Sequence, residues 1–287
     1  TAAEKASVLI KALPYLQRFR GKTFLIKMGG SAMDNPDLVR EVMRDIVFLE
    51  VAGIKPVIVH GGGKAISAAM EKSGLEAKFF GGLRITTPET IEIVDQTLHG
   101  KINQELVETI NEFGGRATSI HGTSIFQATQ LTGKNESGEE VDIGQVGQVH
   151  HCLTEKVLDA LSSRLVPVVS PLGRHRETGK THNINADLAA AALACALKPA
   201  KLVYLSDVPG LLSDPADQSS LIESVTGDEA RNLMANGTIS GGMIPKITSA
   251  LEALESGVEK VHFIDGRMPH TLLLEIFTKS GIGTEIR

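Results

Sequence analysis

The sequence predicts an α/β protein built on parallel strands, and two stretches near its N-terminus indicate this most directly. Phe24–Ser31 and Val57–Lys64 each contain an apolar run followed by consecutive glycines, as expected of a buried strand that ends in a tight turn. Between them lies a predicted helix that begins at Asn35–Asp37 and ends at Gly53. A strand, a helix and a strand in this order form a β-α-β unit, whose two strands are parallel.

The composition is that of an ordinary globular protein, with 42% hydrophobic and 22% charged residues. A length of 287 residues favours two lobes, although one large α/β sheet is an alternative. No apolar stretch reaches the ~20 residues that span a bilayer, so we expect no membrane-spanning helix. Glu4, Lys5 and Lys11 interrupt any signal-peptide pattern, so we expect no signal peptide. Cys152 and Cys195 are too few for a disulfide framework, which favours reduced thiols and the cytoplasm. The net charge of −5 argues against general nucleic-acid binding.

Residues 1–20 are predicted to form a helix that Pro14 kinks. Apolar residues from Ala6 to Leu16 recur at helical spacing and form one stripe. An isolated helix of this length is marginal in water, so the stripe must pack against another surface. The pattern leaves open whether that surface belongs to the same chain or to a neighbouring subunit.

The rest of the chain continues to alternate between helices and strands. We predict helices over residues 63–73, 87 to the low 110s, 154–163, 186–197, 228–236, 246–256 and 269–279. Further strands are predicted over residues 117–121, 166–170, 202–206 and 261–264, with loops over 79–86 and 173–181. Residues 126–149 are typical of a β-hairpin with its tip at 133–138. The pattern leaves open whether this hairpin covers a site or is an edge hairpin with no role in one.

Two glycine turns at equivalent strand ends indicate an anion site. Lys27 lies near the carboxyl end of the first strand, and such ends border the crevice in which open α/β sheets bind ligands. Neither Gly29–Ser31 nor Gly61–Lys64 has the spacing of a P-loop or a dinucleotide fingerprint. One such turn often only connects a strand to a helix. Two of them together with a lysine favour phosphate binding.

Other polar residues are candidates for the same crevice, each with a structural alternative. Asn183–Asp187 places three short polar side chains at a helix start, where one N-cap would suffice. Lys246 begins a helix, a position that the macrodipole disfavours for a cation unless an anion binds there. Arg84 is either a carboxylate clamp or a surface arginine. Asp207 is an N-cap, a nucleotide ligand or a lysine partner. The nine histidines show no metal-ligand spacing, so we expect no dedicated metal site.

Six motifs occur in the order seen in the amino-acid kinase family, which the chain resembles over residues 21–287. They are Lys27–Ser31, His60–Gly63, Gly82–Arg84, Asn183–Asp187, Ser206–Gly210 and Gly241–Lys246. The last motif marks the members of this family that phosphorylate N-acetyl-L-glutamate.

The resemblance implies an open, mainly parallel sheet sandwiched by helices and shared by two lobes. Residues 1–20 would be an N-terminal oligomerisation helix, 21–197 the lobe that binds N-acetyl-L-glutamate, and 198–287 the nucleotide-binding lobe. It implies that ATP, carrying Mg²⁺, phosphorylates the γ-carboxylate of N-acetyl-L-glutamate in arginine biosynthesis. A carboxylate acceptor needs no general base, but its repulsion from ATP must be reduced by lysines, amides and Mg²⁺.

The same resemblance implies roles for individual residues. Lys27, Lys246 and Asp187 would be catalytic. Gly62, Gly63, Arg84, Asn183 and Asn185 would bind the acceptor, and Gly29, Gly30, Ser206, Asp207, Gly210 and Lys246 would bind the phosphates or ATP.

Regulation is implied as well. Family members that L-arginine inhibits carry a kinked N-terminal helix, which joins dimers into a hexamer that is a trimer of dimers. Residues 1–20 resemble that helix, and Tyr15, His262, Glu275 and Gly281 resemble the arginine pocket. Binding of a PII signalling protein is left open.

Two alternatives remain at this point. One is another kinase of the family, acting on glutamate, aspartate, carbamate or UMP, and the other is a regulatory protein that binds an effector without turnover. Retention of Lys27, Asp187 and Lys246 argues against the second alternative.

Overall fold

Strands and helices alternate along the chain in the computed structural model, which describes residues 2–134, 137, 139–214, 216–278 and 281–287. The strands are β1 (Thr23–Met28), β2 (Lys55–His60), β3 (Phe79–Phe80), β4 (Leu83–Arg84), β5 (Ala117–Ile120), β6 (Phe126–Gln130), β7 (Gly133–Lys134), β8 (Glu140–Val141), β9 (Val146–Cys152), β10 (Val166–Val169), β11 (Leu172–His175), β12 (Thr181–Ile184), β13 (Lys201–Ser206), β14 (Ser224–Val225), β15 (Val261–Asp265) and β16 (Thr284–Ile286). The α-helices are α1 (Ala2–Phe19), α2 (Pro36–Val51), α3 (Gly63–Lys72), α4 (Thr90–Asp95), α5 (Gln104–Glu112), α6 (Glu155–Ser162), α7 (Ala186–Leu197), α8 (Gly227–Ala235), α9 (Met243–Glu255) and α10 (Thr271–Phe277).

An eight-stranded sheet extends through the molecule in the order β14-β16-β15-β13-β1-β2-β10-β5. Its neighbouring strands are parallel except for β16, which runs antiparallel to β15. One hydrophobic core separates the sheet from α6, α7, α8 and α9, and a second separates it from α2, α3, α4, α5 and α10. The predicted open, mainly parallel sheet sandwiched by helices is confirmed.

The first β-α-β unit forms as its sequence predicts. The Asn35 side chain accepts hydrogen bonds from the N–H groups of Asp37 (2.9 Å) and Leu38 (3.5 Å), and Pro36 occupies the first turn of α2. The helix ends before Gly53, whose φ of +84° favours glycine. Strands β1 and β2 then pair in parallel, with Met28 opposite His60.

A second, smaller sheet closes on itself through β6, β9, β12 and β11. The predicted hairpin corresponds to β6 and β9, which pair antiparallel, whereas Asn135, Glu136 and Gly138 of its predicted tip lie outside the described residues. The loop prediction for 173–181 is wrong at both ends, because β11 and β12 pair there. Each of these strands has only four residues, and β6 and β9, from an earlier part of the chain, supply further pairing.

Two further segments differ from the sequence prediction in detail. Residues 79–86 are not all loop, because β3 and β4 form a two-residue antiparallel pair. The long helix predicted from residue 87 runs from Thr90 to Glu112, but its middle turn, Gln96–Asn103, is a π-helix. Nothing in the sequence pattern predicted this wider turn.

Helix α1 packs on the rest of the chain through its C-terminal end, and Pro14 lies within it. Phe19 is buried with its ring 5.2 Å from that of Phe24. Further towards the N-terminus, Ile10 and Leu13 are 68% and 44% exposed. Part of the apolar stripe is therefore not covered by this chain. None of the helices in the described part of the chain combines the length and apolar character needed to cross a membrane.

Candidate active site

The two glycine turns meet at the carboxyl ends of β1 and β2. The Gly61 N–H donates to the Met28 carbonyl over 2.7 Å. A Cβ at Gly61 would lie 3.7 Å from the Gly29 Cα, so the turns are in contact. The parallel register of β1 and β2 brings them together, as expected for adjacent strand ends in an open α/β sheet.

One carboxylate lies between two lysines beside these turns. The Lys27 Nζ is 2.6 Å from Oδ1 of Asp187, and the Lys246 Nζ is 4.0 Å from its Oδ2. The three residues come from β1, α7 and α9, and only 6% of Lys27 is exposed. Each oxygen of Asp187 thus faces a different cation, and the arrangement concentrates positive charge next to the glycine amides.

Asn185 places Asp187 at the start of α7. Its side-chain oxygen accepts hydrogen bonds from the N–H groups of Asp187 (2.9 Å) and Leu188 (3.2 Å). The capping role considered from the sequence is therefore real for Asn185, and it leaves the amide NH₂ group for a ligand. Asn183 lies on β12 and donates to the Thr86 hydroxyl over 3.2 Å.

Gly29 and Gly30 leave room for charged side chains. A Cβ at Gly29 would lie 2.1 Å from the Lys27 Nζ, so the lysine occupies the space that a side chain at this position would need. Gly30 has a φ of +61°, and a Cβ there would lie 3.4 Å from the Asp207 carboxyl carbon. Both glycines therefore bring backbone close to charge.

Arg84 is buried without a carboxylate partner among the described residues. Only 7% of it is exposed, and its Nη2 donates to the Gly63 carbonyl (2.7 Å) and the Ser67 hydroxyl (2.8 Å). The guanidinium lies over the Phe79 ring, 4.7 Å from the centroid. Burial lowers the pKa of Arg84. A buried cation held only by neutral groups is suited to receive an anion.

A cavity of about 220 Å³ lies among these groups. Its lining includes both glycine turns, Lys27, Arg84, Asn183 and Asn185. A larger groove of about 670 Å³ adjoins it, and the two share Gly30, Gly62, Gly63, Phe79 and Arg84. The predicted acceptor-binding residues therefore surround one space.

The remaining predicted ATP residues lie at the end of β13. Ser206 ends this strand, and its hydroxyl donates to the Val208 carbonyl over 3.3 Å. Asp207 faces Gly30 across the crevice. Gly210 is buried, and a Cβ there would lie 2.5 Å from the Thr284 hydroxyl, so it packs against β16. Its contact with nucleotide stays a prediction.

A separate pocket of about 380 Å³ brings together the four predicted effector residues, Tyr15, His262, Glu275 and Gly281. The His262 Nδ1 and the Glu275 Oε1 are 2.6 Å apart. The other oxygen of Glu275 accepts from the N–H groups of Ile282 (2.7 Å) and Gly283 (3.1 Å). Burial lowers the pKa of His262.

Lys201 also lines this pocket. Its Nζ is 2.7 Å from the Nε2 of His262, and burial lowers its pKa to about 8. A lysine directly before a predicted strand, here residues 202–206, is ordinarily solvated, so no sequence signal singled it out. At the catalytic crevice Ser67, Phe79 and Thr86 were missed because they touch Arg84 or Asn183 only in three dimensions.

Comparison with known proteins agrees with this fold. The model of the Amino acid kinase family matches residues 22–265. An acetylglutamate kinase of Akkermansia muciniphila is 61% identical over 283 residues, which cover 99% of this chain and 95% of that protein. Acetylglutamate kinases of Halothermothrix orenii and Archaeoglobus fulgidus are 45% and 44% identical, covering 98% and 99% of this chain and 97% and 99% of theirs.

Solved structures of other proteins share the fold of this chain. The N-acetylglutamate synthase from Neisseria gonorrhoeae, complexed with coenzyme A and N-acetyl-glutamate, superposes with a TM-score of 0.84 at 26% identity and 98% coverage of this chain. This chain spans 63% of that synthase chain. The same synthase complexed with coenzyme A and L-arginine gives a TM-score of 0.79 at 26% identity, covering 98% of this chain and 65% of that chain. The carbamate kinase of Giardia, at 16% identity and a TM-score of 0.68 over 93% of this chain and 98% of its own, shares the fold.

The family match and these relatives thus define a phosphotransferase of the kinase class. The chain belongs to the amino acid kinase family, and within it to the acetylglutamate kinases.

Gly29→Ala is expected to lower turnover by roughly 10², the effect of losing one preorganised charged or donor group. The added Cβ would occupy the position of the Lys27 ammonium, which must then leave Asp187. Because the displaced group is the flexible end of a lysine, the unfolding midpoint should change little. Steady-state kinetics and thermal unfolding measure both effects.

Gly227→Ala in α8 is the matched control, since a Cβ there would make only ordinary contacts, at 3.4 Å to Leu251 and 3.6 Å to Arg231. It should retain turnover. Unchanged turnover in Gly29→Ala would show that the contact between Lys27 and Asp187 is not required.

Proposed function

We propose that the chain transfers the γ-phosphoryl group of ATP to the γ-carboxylate of N-acetyl-L-glutamate, a step of arginine biosynthesis. The observation that carries this proposal is the Asp187 carboxylate, held between Lys27 and Lys246 beside two glycine turns. The names of the curated relatives support the choice of acceptor.

Lys27 and Lys246 would neutralise the phosphoryl group as it moves between two anions, while Asp187 holds them in place. The N–H groups near Gly30, Gly62 and Gly63 would donate to the same oxygens. Gly29, Ser206, Asp207 and Gly210 would face or shape the nucleotide phosphates. We propose that ATP carries the Mg²⁺, since the Asp187 oxygens already face two ammonium groups.

Arg84 would bind the α-carboxylate of the acceptor, with Asn183 and Asn185 donating amide hydrogens to its polar groups. The buried guanidinium lacks a carboxylate partner among the described residues, and a bidentate pair with the ligand would supply one. We assign residues 21–197 to the acceptor lobe and 198–287 to the nucleotide lobe, and we place the enzyme in the cytoplasm.

A hydroxamate assay tests the proposed acceptor. Hydroxylamine traps an acyl phosphate, so ATP with N-acetyl-L-glutamate should give product much faster than ATP with L-glutamate or L-aspartate. Release of ADP with carbamate or UMP is measured beside it. Equal or faster turnover of any of these alternatives would contradict the proposal.

Arg84→Lys should raise the KM for N-acetyl-L-glutamate by roughly 10–100-fold, because charged hydrogen bonds contribute about 1.5–3 kcal/mol. Lysine keeps the charge but loses the planar fork of arginine. The KM for ATP should change little, and steady-state kinetics with each substrate varied in turn separates the two.

The control is Arg116→Lys, an exposed arginine directly before the amino end of β5, on the opposite edge of the sheet. Equal increases in both KM values for Arg84→Lys would show that Arg84 does not select the acceptor.

A second proposal concerns regulation: L-arginine inhibits the enzyme, which is a hexamer assembled from three dimers. Tyr15, His262, Glu275 and Gly281 line one pocket, into which Lys201 also points. The Glu275 carboxylate is a suitable partner for a guanidinium. The exposed Ile10 and Leu13 of α1 are apolar residues that a second copy of the helix would cover.

Replacing both Ile10 and Leu13 by Asp should give active dimers in which inhibition needs at least about tenfold more arginine, within the usual range of allosteric coupling. Sedimentation velocity reports the assembly, and turnover without arginine serves as the control. An unmodified chain that sediments as a dimer and keeps full activity in arginine would rule the proposal out.

A further inference from the structure

A buried pair, His60 and Asn103, lies behind the second glycine turn and was given no role in the reaction proposed above. Both residues are fully buried. His60 ends β2, immediately before the turn, and Asn103 ends the π-helical turn Gln96–Asn103. Polar groups inside a protein are retained where their hydrogen bonds hold a particular arrangement.

The contacts of Asn103 fix the orientation of its amide. One side-chain atom lies 2.9 Å from the Val168 carbonyl oxygen, and only the Nδ2 group can donate to that oxygen. The same Nδ2 lies 3.1 Å from the Nε2 of His60. An NH₂ group has two hydrogens, so it serves both acceptors. The remaining oxygen, Oδ1, has no partner among the described residues, and the amide is thus held by its two donated bonds.

The tautomer of His60 follows from this. Because Asn103 donates to Nε2, that nitrogen is an acceptor, and the proton of the neutral ring is on Nδ1. Nδ1–H then donates to the carbonyl of Gly61 over 2.9 Å. Burial lowers the pKa of His60 to about 4, which keeps the ring neutral at physiological pH.

The hydrogen bond to Gly61 determines where the next N–H points. The peptide joining Gly61 to Gly62 is trans, so its C=O and N–H point in opposite directions. The N–H of Gly61 is also fixed, by its bond to Met28. Within the described part of the chain, the N–H groups of Gly62 and Gly63 have no acceptor. His60 therefore holds one face of the turn and directs the Gly62 N–H away from itself.

The π-helical turn also holds Gly62 from the side. A Cβ at Gly62 would lie 2.6 Å from Ile102 and 2.8 Å from Leu98. In an α-helix, Leu98 and Asn103 would be about 140° apart around the axis. The wider π-turn brings residues five apart onto neighbouring positions, so it presents apolar contacts to Gly62 and the Asn103 amide to His60.

We propose that Asn103 and His60 are positioning residues, which aim the Gly62 N–H at the oxygens of the phosphoryl group or the acceptor carboxylate. The inference rests on the proposed function, since it assigns a direction to a donor of that reaction. Neither residue touches a substrate. Their effect is that the Gly62 N–H need not reorient as charge develops, which is the condition for effective electrostatic stabilisation.

Two substitutions of His60 separate positioning from packing. Asn places its amide nitrogen about where Nδ1 lies and can still donate to Gly61, whereas Gln places it about where Nε2 lies and cannot. His60→Gln should lower kcat by roughly 10². His60→Asn should stay within about tenfold of the unmodified enzyme, because it restores the donor. Equal losses of kcat in the two variants would overturn the proposal.

Asn103→Leu provides a second test through the other end of the pair. It keeps the side-chain size but removes both donors, so kcat should fall by at least about tenfold with smaller changes in both KM values. Ile110→Val, in the buried face of α5, is the packing control. It should lower the unfolding midpoint without changing kcat. Unchanged kcat in Asn103→Leu, or a loss that simply follows the unfolding midpoint across the set, would contradict a positioning role.

Nitrogen-15 NMR of ring-labelled histidine tests the inference without any turnover. The His60 resonances, assigned by their absence in His60→Gln, should show protonated Nδ1 and unprotonated Nε2 from pH 6 to 8. A ring protonated on Nε2, or a charged ring, would overturn the proposed network. If the hydroxamate assay finds another acceptor, the proposed function fails, while this measurement and the kinetics with that acceptor still test His60.

Discussion

The structure of the proposed active-site crevice depends on one carboxylate between two ammonium groups. Lys27 and Lys246 would repel each other if both projected into a narrow crevice without an anion between them. Asp187 gives each of them one oxygen, at 2.6 and 4.0 Å. In the proposed reaction, a phosphoryl group that enters this space would meet two cations that are already in position. The sheet and its helices serve largely to bring these three side chains together from β1, α7 and α9.

Glycine is the second requirement of this arrangement. The Lys27 ammonium occupies the space that a Cβ of residue 29 would fill, and residue 30 has a positive φ that favours glycine. Gly29 lies under the Lys27 ammonium and Gly30 against Asp207. At Gly62 the restriction comes from the other direction, because Leu98 and Ile102 of the π-turn press on it. Neighbouring side chains of this protein therefore require glycine in the two turns as much as the proposed ligand does.

The two proposed sites share the same strands. Strand β13 begins at Lys201 in the effector pocket and ends at Ser206 at the crevice, a distance of about 17 Å for an extended strand. Strand β15 runs beside it and carries His262. A ligand that changes the packing around Lys201 and His262 therefore acts on the central sheet that carries the crevice. If the sheet and α1 had two packing arrangements, the change between these would couple the effector pocket to the crevice.

Sequence alone determined the elements whose signals are local. The Asn35 cap, the glycine turns and the apolar runs of β1 and β2 depend on neighbouring residues, and they predicted the parallel sheet and the edge that carries the crevice. The motifs identified Lys27, Asp187 and Lys246 as candidates, while their mutual distances needed the fold. Tertiary structure decided the features that depend on distant pairing. Strands β11 and β12 are short and exist because β6 and β9 pair with them, and the π-turn gives no local sequence signal. Lys201 resembles an ordinary strand-end lysine until His262 lies beside it, and His60 gains its fixed tautomer only from Asn103, which is 43 residues away in sequence.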